Sequence, residues 1–476
     1  MQSPPRRPRA GGARAETSPV VDSGARTPSR RFAALLAAIP LVAVLLADGA
    51  LLVRRSTDGT PSHPVAIPSV RPTATRTAQG ERPDLASGRA VAIRALLARR
   101  SQAVLHHDRK EWMSTVDPEQ RKFRKQQSQL FANLHDVPFA SWFYSFGSEA
   151  PQLPSNRSRR YGVPSWAPAE FALHYRLRGF DHRPTNLAQF PTFVHRSSGW
   201  YLASLSDFTD AGAKSSKDLW DFGPVTIVRT SSVLVLGHPG SESLMQGLAA
   251  EVAADIPRVT AVWGHGWARK AVVLAPSTQH ELGQVAGDFG KLDNIAAVAS
   301  AEVNVGSGKP DPVGDRIGIN PDNWLKLSPL GQRIVLTHEL THVATRAVTS
   351  SSTPTWLAEG FADYVGYLDT GVPASFVAQE LAADINAGNA PKQLPSDAQF
   401  DGASKKLSQA YEGAWLACRL IAQRSGQPML VRFYSAVGRS ERGPRLAVAL
   451  ALARLLHESR FEFTKQWREF VRSELS

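Results

Sequence analysis

Residues 327–348 read LSPLGQRIVLTHELTHVATRAV, and this stretch decides the fold. Ser328 suits an N-cap and Pro329 the first helical position, so a helix is expected to start here. Inside it stands His338-Glu339-Leu340-Thr341-His342, an H-E-x-x-H pattern. A spacing of four puts both imidazoles on one helix face, close enough to ligate one metal ion. Glu339 then lies beside that ion, placed to take a proton from water. With 13 His and 19 Glu in the chain, chance produces the pattern roughly once in seventy such sequences. The plain alternative is a buried helix with two incidental histidines.

The residues downstream bear on that choice. A Ser/Thr/Pro loop, 349–354, ends the first helix. A second helical stretch follows, Trp356-Leu357-Ala358-Glu359-Gly360-Phe361-Ala362-Asp363-Tyr364. Catalytic zinc takes a third N or O ligand and keeps one position open. Glu359 on an antiparallel helix can be that ligand. Asp363, four residues on and on the same face, suits the carboxylate that fixes the tautomer of a ligating histidine.

HELTH followed by WLAEGFADY resembles the gluzincin zinc metallopeptidases, the peptidase MA-like branch near aminopeptidase N. The resemblance implies a thermolysin-like zincin domain over 221–476. It implies Zn2+ held by His338, His342 and Glu359, with Glu339 as general base, and a peptide or protein substrate. Sixteen residues separate His342 from Glu359, about two fewer than in aminopeptidase N relatives. Ala410-Tyr411-Glu412-Gly413 resembles the Tyr-Glu-x-Gly segment of that family, with the Gly one residue early. There the tyrosine hydroxyl stabilises the oxyanion, which assigns that role to Tyr411. The Gly-x-Met-Glu-Asn strand that recognises a free amino terminus is missing, so an endopeptidase is expected. The nearest candidate, Asp315–Asn320, is expected to be an edge strand that pairs with an extended peptide.

Working outward, residues 1–31 carry seven Arg against Glu16 and Asp22 and few apolar residues, which reads as a disordered cytoplasmic tail. Residues 32–53 are apolar except for Asp48 and lie between Arg pairs. That is the length of a transmembrane signal anchor, with the rest of the chain outside the cell membrane. A cleaved signal peptide and a buried core helix are the competing readings. Residues 54–90, rich in Pro, Thr and Ser, read as a linker. From Val91 the apolar spacing is helical, and alternating segments follow at Ala140–Tyr144, Glu170–Leu177, Thr192–Val194 and Gly199–Leu205. Helices and then strands predict a small α+β domain over 91–210, similar in pattern to NTF2-like (cystatin-like) domains. A linker is expected near 210–221, and strands at 225–236, 271–275, 295–303 and 315–320. The fold class is therefore α+β, two domains behind an N-terminal transmembrane helix.

Other chemistry is disfavoured. One cysteine, Cys418, excludes an intramolecular disulfide framework. Gly306-Ser307-Gly308-Lys309-Pro310 lacks the residues of a P-loop. His106 and His107 are adjacent and cannot share one helix face. The net charge of +13 suits an anionic cell-wall polymer or lipid surface, because a basic run such as Arg121–Lys125 holds a single aromatic, Phe123, and reads as a solvated helix face more than a nucleic-acid reader. The alternative to an enzyme is a non-catalytic envelope scaffold that keeps a peptidase fold.

Overall fold

The computed structural model describes residues 53–56, 83–147, 158–168, 170–286, 292, 295–304 and 311–476. The expected tail 1–31 and all of the expected span except Val53 lie outside the described residues. No helix among the described residues is long and apolar enough to cross a membrane.

The first described element is a strand, β1 (Val53–Ser56), where the end of the span and the start of the linker were expected. Helix α1 (Pro83–Leu105) begins upstream of the expected start at Val91, with α2 (Arg109–Ser114) and α3 (Arg121–Asn133) after it. Two three-stranded antiparallel sheets follow. One orders β2 (Phe139–Phe146), β4 (Phe171–Leu177) and β5 (Thr185–Ala188); the other orders β3 (Ser165–Trp166), β6 (Thr192–Arg196) and β7 (Gly199–Ser204).

Strand β4 shows why: Phe171, Leu173, Tyr175 and Leu177 alternate inward, the period-2 pattern of a half-buried strand. Between α1 and these strands Arg100 lies over the Trp112 ring, 3.2 Å from its centroid, and donates to Tyr144 and Thr115. The cavity left there is about 30 Å³, room for about one water.

The second half is built on a six-stranded sheet ordered β1-β11-β12-β10-β9-β8. Its strands are β8 (Thr226–Arg229), β9 (Val233–Gly237), β10 (Ala271–Ala275), β11 (Ala297–Asn304) and β12 (Asp311–Ile319). β9, β10 and β12 run parallel; β11 runs antiparallel to β12, with Ala299 opposite Ile317 and a bulge between Ser300 and Glu302. Every residue of β9 and β10 is buried, as expected for parallel strands covered on both faces.

On one face Leu234, Leu236, Val272 and Leu274 share a core with Trp112, Phe139, Trp142 and Trp220 of the upstream region. The expected linker thus ends in a turn, Leu219–Asp221, whose Leu219 and Trp220 pack into that shared core. Helix α4 (Glu242–Trp263) packs on β9 and on the helix that carries H-E-x-x-H.

Asp315–Asn320 is not an edge. β12 lies inside the sheet, between β11 and β10. Its apolar alternation reported burial, and burial alone does not separate a central strand from an edge strand. β11 is the outer strand of that pair, and β1 runs parallel along it from Ala301 to Asn304.

The helical remainder comprises α5 (Gln279–Ala286), α6 (Pro329–Thr345), α7 (Thr355–Tyr367), α8 (Gln379–Asn386), α9 (Leu407–Ser425), α10 (Gln427–Gly438), α11 (Pro444–Ala451) and α12 (Arg460–Leu475). Helix α6 starts as its sequence predicts. The Ser328 hydroxyl accepts from the Gly331 N–H at 3.1 Å, with Pro329 in the first turn. Helix α7 packs on both α6 and α9.

Candidate metal centre

Helix α6 is buried on almost every side, and His338, Glu339 and His342 are each at most 3 % exposed. Helix α7 brings Glu359, fully buried, against them. One Glu359 carboxylate oxygen, Oε2, lies 3.3 Å from Nε2 of His338 and 3.3 Å from Nε2 of His342. The two Nε2 atoms are 3.0 Å apart. This is the only such convergence of three His, Cys, Asp or Glu side chains among the described residues.

Those distances bear on metal binding. Zinc bonds of about 2.0–2.1 Å at tetrahedral angles put neighbouring ligand atoms about 3.3 Å apart. Both Glu359 oxygens are buried, and Oε1 has no hydrogen-bond partner while Oε2 meets only the two imidazoles. A buried carboxylate without donors is costly unless a cation meets it. Two imidazoles and one carboxylate, with no further His, Cys, Asp or Glu in the group among the described residues, are a donor set that suits zinc.

Asp363 completes the group. His338 Nδ1 lies 2.9 Å from its Oδ1, and a proton held there makes Nε2, beside Glu359 and His342, the atom that would ligate a metal. Burial lowers the His338 pKa, but Asp363 and Glu359 overrule it and hold it well above the usual value. Burial dominates at His342, whose pKa is lowered. Burial pushes Glu359 up, yet the two imidazoles hold it at about 2. Glu339 is pushed up to about 7, chiefly by burial. Its Oε2 accepts from the Ala299 N–H of β11 at 2.7 Å.

The structure therefore brings together five of the six sequence-predicted residues: His338, Glu339, His342, Glu359 and Asp363. Tyr411 lies in the first turns of α9, 2 % exposed, with its ring edge-on to Phe400 at 5.1 Å. His106 and His107 lie where α1 ends, and the His107 ring meets His135, not the metal group. Cys418 is buried. Two groups escaped the sequence reading. Ala299 supplies only backbone, which no pattern reveals. Arg346 had a signal, since it lies seven residues beyond Glu339 and so on the same face of α6.

The glycine after Glu359 has a steric reason. A Cβ at Gly360 would collide with the Ala414 carbonyl of α9. Gly360→Ala should push α7 off α9, move the Glu359 carboxylate, and weaken zinc binding by at least about 10-fold. Isothermal titration of the purified variant with zinc checks this; unchanged affinity would mean that α7 tolerates the shift.

No protein-family model and no curated protein matches the sequence. Among solved structures, a mutant of a two-domain M1 zinc metallopeptidase bound to L-arginine matches at TM-score 0.32 and 12 % identity, over 53 % of this chain and 51 % of that one. An M1 zinc metallopeptidase mutant from Deinococcus radiodurans matches at TM-score 0.32 and 13 % identity, over 71 % and 70 % of the two chains. The chain spans about half the length of the first of these.

Proposed function

We propose that this protein is a zinc-dependent peptidase that cleaves within peptide chains. The reading rests on one observation: two histidines and a buried carboxylate converge at 3.0–3.3 Å, with a carboxylate behind one histidine and a second glutamate alongside. A structural site needs no Glu339, and an incidental pair of histidines needs no Glu359 or Asp363.

In this reading His338, His342 and Glu359 hold the ion, and Asp363 keeps His338 in the ligating tautomer. A zinc ion held there polarises the scissile carbonyl and lowers the pKa of water toward about 7. Hydrolysis joins the water oxygen to the carbonyl carbon and breaks the C–N bond. Glu339 takes a proton from that water and delivers it to the departing nitrogen, releasing acid and amine. Tyr411 is assigned the oxyanion donor on its family resemblance alone.

The sequence-based topology belongs to the same proposal. The apolar run from residue 32 up to β1, which starts at Val53, would anchor the chain in the cell membrane and place the peptidase outside. There the positive charge of 91–476 would face an anionic wall polymer. The test is cleavage of a random peptide library by the full chain. Cleavage should stop with a chelator and return with zinc. No cleavage by zinc-replete protein would leave a non-catalytic scaffold as the better account.

A further inference from the structure

A general base must be aimed as well as present, and Arg346 stands seven residues beyond Glu339, at the C-cap of α6. Arg346 is 3 % exposed and shares the face of α6 that carries Glu339. Its Nη2 donates to the Ala299 carbonyl at 3.1 Å, and its Nε donates to Asp315 Oδ1 at 3.1 Å. Ala299 is the residue whose N–H goes to Glu339 at 2.7 Å. Both polar backbone groups of one β11 residue are therefore held by α6, the N–H by the proposed base and the C=O by Arg346. Asp315 lies on β12, the strand paired with β11, so a single guanidinium ties the helix to both strands.

Resting on the peptidase reading above, we propose that Arg346 is a positioning residue for the reaction. It sets the β11 peptide at Ala299, and that peptide orients the Glu339 carboxylate. Residue type supports this. Anchoring a helix on a sheet needs only apolar packing, and burying a guanidinium costs solvation that such packing does not. Only the planar fork of Arg reaches two acceptors on two strands at once, whereas Lys offers one compact charge. The Arg346 hydrogen bonds go to Ala299 and Asp315 and not to Glu339 itself, so its hold on the base runs through Ala299.

The test uses the full chain as Arg346→Lys, Arg346→Met and the double variant Asp315→Asn/Arg346→Met, which leaves no unpaired carboxylate. Zinc content should stay at the wild-type level in each. kcat on a cleaved peptide should fall about 10- to 100-fold in the Met variants, the scale for a misplaced catalytic group, with KM within about threefold. Arg346→Lys should recover part of that loss. By hydrogen exchange, the segment 295–304 should exchange faster in the Met variants while β9 and β10 keep wild-type protection. Folded, zinc-loaded Met variants with wild-type kcat, or with KM alone raised, would overturn the proposal. If the single Met variant does not fold, the double variant and Arg346→Lys decide. If the wild type cleaves nothing, the peptidase reading fails, and exchange at 295–304 still shows whether Arg346 holds Ala299.

Discussion

Glu339→Gln should bind zinc as the wild type does and lose between about 10² and 10⁴ in kcat, the range for removing a general base. The amide keeps an oxygen that can accept the Ala299 N–H, so β11 stays in place, and none of the three converging ligand atoms changes. What disappears is the ability to take and return a proton. The variant also has a stability signature that activity does not share. In the metal-free chain Glu339 has a pKa near 7, above the ordinary carboxylate value. A raised acid pKa means that, between the two values, the unfolded chain binds fewer protons than the folded one. Metal-free wild type therefore loses stability as pH rises from about 4.5 to 7, and Gln removes that loss. Its metal-free melting temperature should exceed the wild type's at pH 8, and the difference should close as pH falls toward 4.5. A variant that keeps wild-type kcat would remove Glu339 from the chemistry and return the protein to the scaffold reading. One that loses both zinc and activity would make Glu339 a ligand.

The parts of this site that were legible in the sequence are those where a single helix fixes the geometry. The spacing of His338 and His342 needs only the helix period, and that of Glu359 and Asp363 needs only the same period on the next helix. That the two helices face each other was inferred from the short polar loop between them and from the chemistry of a third ligand. The strands at 271–275 and 295–303 were legible because Ala and Val runs between breakers are too short for helices. What could not be read is sheet order. The alternation of 315–320 reports burial, and a central strand and an edge strand are equally buried when helices cover them. The same limit hid Ala299, because a backbone amide has no residue type. It also hid the shared core of the two halves, since Trp112 and Leu234 are far apart in sequence and meet only through topology.

Removing the Glu359 carboxylate should have the larger effect on metal. Glu359→Gln keeps shape and volume but withdraws the only anionic ligand of the three. Zinc affinity should fall by more than about 10²-fold, beyond the 10- to 100-fold typical of losing an outer partner such as Asp363. Asp363→Asn is therefore the internal standard, and the ratio between the two variants ranks the residues without an absolute value. The metal-free protein should respond as well. Glu359 has a folded pKa of about 2, below its unfolded value, so it contributes stability above about pH 4.5 that is lost as pH falls toward 2. His338 is raised, so its contribution is full below about pH 6.5 and is lost as pH climbs through its higher folded value. The pair therefore holds α6 to α7 most firmly between those limits, and Glu359→Gln should melt lower than the wild type there. Zinc uptake has to displace the proton that this pairing keeps on His338, so wild-type affinity should rise with pH. Ligand at 100 times its Kd adds about 2.7 kcal/mol, so zinc should raise the melting temperature of the wild type and leave Glu359→Gln nearly unmoved. Equal zinc shifts in the two proteins would show that Glu359 does not bind the metal. The 3.3 Å contacts would then be a buried ion pair that the fold keeps for its own cohesion.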